Sequence, residues 1–466
     1  MKDPFGLKIH STNIRTEVLA GVTTFLTMAY IIFVNPALLS KTGMDYQSVM
    51  VATCLSAALG TLIMGLWAKY PFALAPGMGL NAFFVFTIVL TMGYTWQQAL
   101  AIVFISGIIF IILTVTGLRT AIIESIPAAI KHAIPAGIGL FIAFIGLNSA
   151  GIVKVNQGPI LDIVYSQDVA DRESLVDQIL TAPPQVLEFG DFGQPAIWVA
   201  VAGFLLISIL TVLKVRGAFF LAILGTTLVG LPWGVTQLPH DWSLEGISLS
   251  ATWLQLDFGG LFKLSEEGTI VTWLVTLFTV VISFTLVDLF DTIGTLLGTA
   301  AKGGFLDPNG RLPRMNKALL ADAVATTFGA LAGTSTVTTY IESASGIIAG
   351  GKTGLTSITV AVLFLLALLL APLASMVPAA ATAPVLIMVG LMMLDAITKI
   401  DFGNYEEMIP AILVIIIMPF SYSIANGIAI GIIVYTLIKI MVGKAREVHT
   451  IMYILTLLFI LRFVLI

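Results

Sequence analysis

The chain has 466 residues, 58% of them hydrophobic and 10% charged, where an ordinary soluble domain carries roughly 25% charged residues. No water-soluble globule can hide that excess, so the bilayer is the solvent the sequence implies. A net charge of −4 with no Lys/Arg cluster argues against a nucleic-acid partner, and a single cysteine, Cys54, leaves no intramolecular disulfide and no cysteine-based metal cluster.

The first 16 residues are polar and hold no cleavable signal core, so the first apolar run is expected to direct insertion. Apolar runs bounded by charge, Pro or Gly predict spans over 17–39, 47–68, 72–90, 96–116, 121–148, 195–213 and 217–232. A second set follows over 268–298, 315–333, 334–350, 355–374, 376–397, 406–421 and 424–441. The last apolar stretch, 449–466, contains Arg462 and is either interfacial or a further crossing.

Cytoplasmic loops should be rich in Lys and Arg. With a cytoplasmic N-terminus and fourteen crossings, inner segments carry 17 such residues, from Lys2, Lys8 and Arg15 to Lys439, Lys444 and Arg446. The outer loops carry only Lys41, Lys154, Arg172 and Lys263. The long outer loops, 149–194 and 233–267, hold seven and five acidic residues and read as solvated connectors.

Ile126-Pro127-Ala128-Ala129 returns as Val377-Pro378-Ala379-Ala380, each before a Gly-containing apolar span. Two halves of seven spans follow, and because seven is odd the second must be inverted, an arrangement common in secondary transporters. The expected organisation is a first repeat over 1–232, an outer connection over 233–267, an inverted repeat over 268–448, and the apolar tail 449–466.

Two spans contain chain that cannot continue as helix. In the third, Pro76, Gly77 and Gly79 predict an extended start that turns helical near Leu80. In the tenth, Thr334-Ser335-Thr336-Val337-Thr338-Thr339-Tyr340 predicts a strand before the helix resumes at Glu342. Non-helical backbone at membrane depth is tolerated where protein or a water-filled cavity satisfies it, so paired interruptions point to a binding site. A single offset of 261 residues between the halves would set Asn81 opposite Glu342, Thr27 opposite Asp288, and Tyr30 opposite Asp291.

The eighth span carries Asp288 and Asp291 three residues apart, on neighbouring positions of one helical face. Each intramembrane carboxylate costs roughly 2.5–3.5 kcal/mol, and no Lys or Arg in the neighbouring spans offsets it. Acids retained at that cost are expected to be protonated, hydrogen-bonded or paired with a transported cation, as proton symport requires. Asp322 and Asp395 lie near span ends, where solvation is easy, and are read as structural.

Gly346-Ile347-Ile348-Ala349-Gly350-Gly351-Lys352-Thr353 fits the phosphate-loop pattern. It lies at a span end without the strand and soluble βαβ unit that pattern needs, so no ATP site is expected. Nor does any H-E-x-x-H, G-x-S-x-G or CxxC pattern occur, and no enzyme, cofactor or metal is expected.

Three motifs, in order, carry a family resemblance: Gly77-Met78-Gly79-Leu80-Asn81-Ala82-Phe83-Phe84, Leu286-Val287-Asp288-Leu289-Phe290-Asp291-Thr292, and Glu342-Ser343-Ala344-Ser345-Gly346 followed by Gly351-Lys352-Thr353-Gly354. From about Thr16 to Lys444 the chain resembles the nucleobase–cation symporter 2 family, in its adenine/guanine/hypoxanthine permease branch. The resemblance implies an all-α polytopic membrane protein, fourteen transmembrane segments in a 7+7 inverted repeat with short extended strands in spans 3 and 10. It further implies a core domain (spans 1–4 and 8–11) that slides against a gate domain (spans 5–7 and 12–14), commonly as a homodimer.

By that likeness Glu342 and Asp288 hold the base, Asn81 is their polar partner, and Asp291 is a second functional acid, with Asp288, Asp291 and Glu342 candidates for proton coupling. A purine presents N–H donors that carboxylates accept and a flat face for rings, for which Phe83, Phe84, Phe284, Phe290 and Tyr340 are candidates. The resulting expectation is a proton-driven purine importer of a cytoplasmic membrane, working by alternating access. A uracil or xanthine carrier, and an anion carrier or channel on the same fold, are the alternatives.

Overall fold

The structure is a computed structural model that describes residues 5–117, 125–155, 187–238, 248–261, 270–307, 311–374 and 376–465. Much of both long outer loops lies outside the described residues, as do Lys2, Arg119, Arg172 and Lys263 of the charge count.

The first span is two helices, α1 (Ile14–Met28) and α2 (Ile31–Leu39). Asn13 starts α1 by accepting from the Thr16 amide at 2.9 Å, satisfying one of the donors a helix start leaves open. The chain breaks at Ala29–Tyr30, in mid-span, an interruption that no Pro or Gly announces. Next come α3 (Tyr46–Ile63), strand β1 (Leu74–Pro76), α4 (Met78–Ala82), which continues as π-helix to Thr91, and α5 (Trp96–Thr116). The first half closes with α6 (Ala128–Ser149), a two-stranded ribbon of β2 (Val153–Val155) and β3 (Leu187–Phe189), α7 (Pro195–Val212) and α8 (Ala218–Val229).

The second half repeats the order with α9 (Ile270–Gly303), α10 (Met315–Ala332), β4 (Val337–Thr339), α11 (Ser343–Ile348), α12 (Gly354–Ala367), α13 (Ala379–Met393), α14 (Tyr405–Phe420) and α15 (Ile424–Met441). A further helix, α16 (Thr450–Leu465), follows. The fold is the expected fourteen-span 7+7 inverted repeat, and the two strands fall in spans 3 and 10.

The two halves meet at mirrored contacts. β1 and β4 pair antiparallel, Leu74 with Thr339, Ala75 with Thr338 and Pro76 with Val337. Each strand has one neighbour, so its other edge needs a partner inside the membrane. On β1 the Thr61 hydroxyl takes the Leu74 amide at 2.8 Å and donates to its carbonyl at 3.1 Å. On β4 the Thr326 hydroxyl does the same for Val337, at 3.2 and 3.0 Å. One hydroxyl from α3 and one from α10 thus close equivalent edges.

Away from the strands, α6 and α13 cross where Gly139 and Gly390 face each other. A Cβ on Gly139 would stand 2.6 Å from the Gly390 carbonyl, and one on Gly390 closer still to that of Gly139. Only glycines permit that approach. These helices begin directly after Pro127 and Pro378, so the repeated Ile/Val-Pro-Ala-Ala marks equivalent starts.

Two offsets therefore relate the halves: 263 at the strand centres (338 − 75) and 251 at the glycine crossing (390 − 139). The single offset of 261 is corrected accordingly. Under the strand offset the mate of Glu342 is Gly79, and Asn81 lies two residues further along.

Candidate functional site

A cavity of about 480 Å³ lies beside the paired strands, within the range of roughly 300–1,000 Å³ usual for small-molecule sites. Its inner wall is made by Tyr30 from the break in span 1, Gly77 to Gly79 after β1, Asp291 from α9, and Thr338 to Glu342 from β4 and the turn into α11. Lys131, His132, Asp395 and Lys399 stand at the ends of α6 and α13 and line the same space, on the side the charge distribution reads as cytoplasmic. A second space of about 390 Å³ shares Glu342 and Met392 with the first and runs past Thr23, Thr27 and Phe219 to Lys214 and Arg216.

The interrupted segments hold the polar groups. Glu342 precedes the first residue of α11, and the Tyr30 hydroxyl donates to its Oε1 at 2.7 Å. Thr338 donates to Asp291 Oδ2 at 3.3 Å. Each of these bonds uses one of a carboxylate's two oxygens. Tyr340 is fixed at both ends, its amide to the Ala73 carbonyl and its hydroxyl to that of Pro76, so β1 and β4 hold its ring in place. The Tyr30 and Tyr340 rings lie 6.5 Å apart, and Tyr30 packs edge-on to Phe219 at 5.3 Å. Two acids and two phenols thus meet in one cavity, a set suited to a flat solute bearing N–H donors.

The other expected residues lie elsewhere. Asp288 is fully buried and does not line the cavity: its Oδ1 contacts the Thr292 hydroxyl at 3.2 Å, and that hydroxyl lies 3.0 Å from Asp322 Oδ2. Asp322 is accordingly no solvated span-end residue but is wholly buried in α10, correcting the expectation, whereas Asp395 is exposed at the cavity rim. Asn81 is buried behind the strands, where its carbonyl oxygen accepts from Ser335. Thr27 lines the second space and returns its hydroxyl to the carbonyls of Thr23 and Thr24. Among the aromatic candidates, Phe83 and Phe284 pack on each other at 4.8 Å and Phe84 is fully buried, so Tyr340 alone of those described reaches the cavity. The Phe290 side chain is outside the described residues.

Sequence reading missed the Tyr30–Glu342 bond, whose partners are 312 residues apart. It also missed what sits at the apparent phosphate loop. The amides of Lys352 and Thr353 donate to the fully buried carboxylate of Glu17, at 3.0 and 3.2 Å, and the Thr356 hydroxyl bonds the same group. An internal carboxylate fills the start of α12, where a phosphate would bind in a nucleotide site.

Comparison with known proteins gives concordant likenesses. The Permease family matches residues 15–172 and 174–430. The adenine permease AdeP of Escherichia coli is 39% identical over 461 residues, which cover 99% of this chain and 95% of that one. The guanine/hypoxanthine permease PbuO of Bacillus subtilis is 40% identical over 469 residues, 98% of this chain and 99% of that one. Among solved structures, the transmembrane domain of the cyanobacterial bicarbonate transporter BicA superimposes with a TM-score of 0.61 at 14% identity, over 89% of this chain and 97% of that one. The last likeness concerns the fold alone.

Proposed function

This chain belongs to the Permease family, and from that membership we propose that it imports a purine nucleobase, adenine, guanine or hypoxanthine, by proton symport with alternating access. It is a transporter rather than an enzyme. The membrane is a cytoplasmic one, with the N-terminus inside. The observation that carries the substrate reading is the pair of acids, Glu342 and Asp291, lining one cavity with Tyr30 and Tyr340. Purine permeases at 39% and 40% identity over nearly whole chains point to the same cargo.

In the proposed cycle the base enters between the core (spans 1–4 and 8–11) and the gate (spans 5–7 and 12–14). Its N–H groups donate to Glu342 and Asp291, and its face rests on Tyr340. Asp288 serves as a proton site behind the base. Support comes from Thr292, which contacts both Asp288 and Asp322. A hydroxyl has one hydrogen, so both contacts are hydrogen bonds only when one carboxyl also carries a proton. The core slides with its cargo, and the proton follows its gradient.

An anion carrier on this fold should present a basic or neutral site. The acids on the inner wall argue against it, since each would repel an anion. Competition binding to purified protein by adenine, guanine, hypoxanthine, xanthine, uracil and bicarbonate tests the substrate class. Displacement by one or more of the first three is the expected result; displacement by uracil or bicarbonate alone would overturn the proposal.

A further inference from the structure

We infer that α16 is a fifteenth membrane crossing, outside the repeat, that rides on α15 and carries the chain to the opposite side of the membrane from Lys444. A helix lying in the interface needs a charged face toward water. Along α16 only Arg462 is charged. One side of the helix is buried through Met452, Leu455 and Phe459, and the other exposes Ile454, Leu457 and Val464, at 54%, 59% and 75%. A helix apolar on both sides is solvated by protein on one and lipid on the other.

Its direction is fixed by contacts along its first half and by what its far end lies near. Lys439 near the end of α15 holds Glu447 at 2.7 Å, Tyr453 donates to the Ala445 carbonyl at 2.8 Å, and Thr456 donates to Thr436 at 2.9 Å. The chain therefore turns back and runs antiparallel along α15, itself a full-length apolar span. At the far end the buried Arg462 guanidinium lies within electrostatic reach of Tyr94. Tyr94 sits in the short connection before α5, beyond Thr87, whose hydroxyl reaches the Tyr422 carbonyl just ahead of the first residue of α15. So α16 begins at one end of α15 and reaches the other. Its 16 residues give a length of about 24 Å at 1.5 Å per residue, more than that of α8, which crosses with 12.

α16 also packs on α9. In the proposed cycle α9 belongs to the core and α15 to the gate, so α16 straddles the sliding boundary. The Thr436–Thr456 bond assigns it to the gate. That last step rests on the alternating-access reading; the crossing does not.

A cysteine appended after Ile466, past the end of α16, tests the crossing against a background of one cysteine, Cys54, that is fully buried. A membrane-impermeant maleimide should label intact cells as strongly as permeabilised ones. Labelling only after permeabilisation would overturn the crossing, whether or not the protein moves purines. Thr436→Cys with Thr456→Cys tests the ride on α15. Oxidation should join the pair and leave purine uptake within twofold of the reduced protein. No crosslink, or uptake lost on crosslinking and restored by reductant, would overturn it. Absence of purine uptake by the unmodified protein would instead count against the proposed function, with the labelling result standing.

Discussion

Tyr30 holds one oxygen of Glu342, and Thr338 one oxygen of Asp291, so the fold itself orients the two acids. Hydrogen bonds to charged groups are worth roughly 1.5–3 kcal/mol, or about ten- to 150-fold in affinity. Glu342→Gln is therefore expected to raise the Kd for its purine by about that factor with the melting temperature unchanged, as titration calorimetry would report. Tyr30→Phe removes the orienting donor but leaves the carboxylate, and should raise Kd by about fivefold, from a net bond near 1 kcal/mol. The two aspartates of α9 should separate. Asp291→Asn should weaken binding as Glu342→Gln does, whereas Asp288→Asn should keep its affinity within about threefold and lose gradient-driven accumulation. Their three-residue spacing set both on one helical face in the sequence. It could not say which one meets the cavity, because positions three apart differ by about 60° around the axis and the neighbours decide the rest. Tyr30 was placed near Asp291 only through an assumed offset, and no local signal joins it to Glu342.

Helices and strands were the most legible level. Apolar length gave all fourteen spans, and Pro76-Gly77 and the Thr/Val run of 334–339 marked both strands, because backbone that cannot be helical has few options inside lipid. The break at Ala29–Tyr30 was invisible, since neither residue forbids a helix. The repeat was legible in kind and not in register. Connections of different length separate the strand-bearing spans from the Pro-Ala-Ala spans, so one offset cannot serve both. Thr61 and Thr326 escaped notice for a related reason: a threonine in a helix is ordinary until a strand edge needs its hydroxyl. The Gly139–Gly390 crossing makes a prediction at this scale. Gly139→Ala forces a methyl against the Gly390 carbonyl and should cost about 1–3 kcal/mol, as overpacking does. Gly298→Ala meets open space on α9 and should leave the protein as stable as before. Thermal unfolding in detergent distinguishes them, and equal stability of the two variants would refute the close crossing.

At the scale of the whole molecule, the positions of the charges define a direction. Lys131, His132, Lys399, Lys214 and Arg216 line the two spaces, all on the side that the loop charges predict to be cytoplasmic. On the proposed orientation this conformation is the one open to the cytoplasm, where the proposed importer would release its cargo, and loading would require the opposite approach to Glu342 to open. Composition alone established the bilayer. Three motifs pointed to the family, and nothing in a linear sequence could supply the cavity, which arises only where two inverted halves cross. The central claim is that protons drive purines inward through this cavity. The direct measurement is uptake of radiolabelled adenine, guanine and hypoxanthine into proteoliposomes with an imposed gradient, acid outside. Saturable accumulation of a purine above its external concentration, abolished by an uncoupler, is the predicted result; accumulation that survives collapse of the gradient, or no saturable uptake of any of the three, would contradict it.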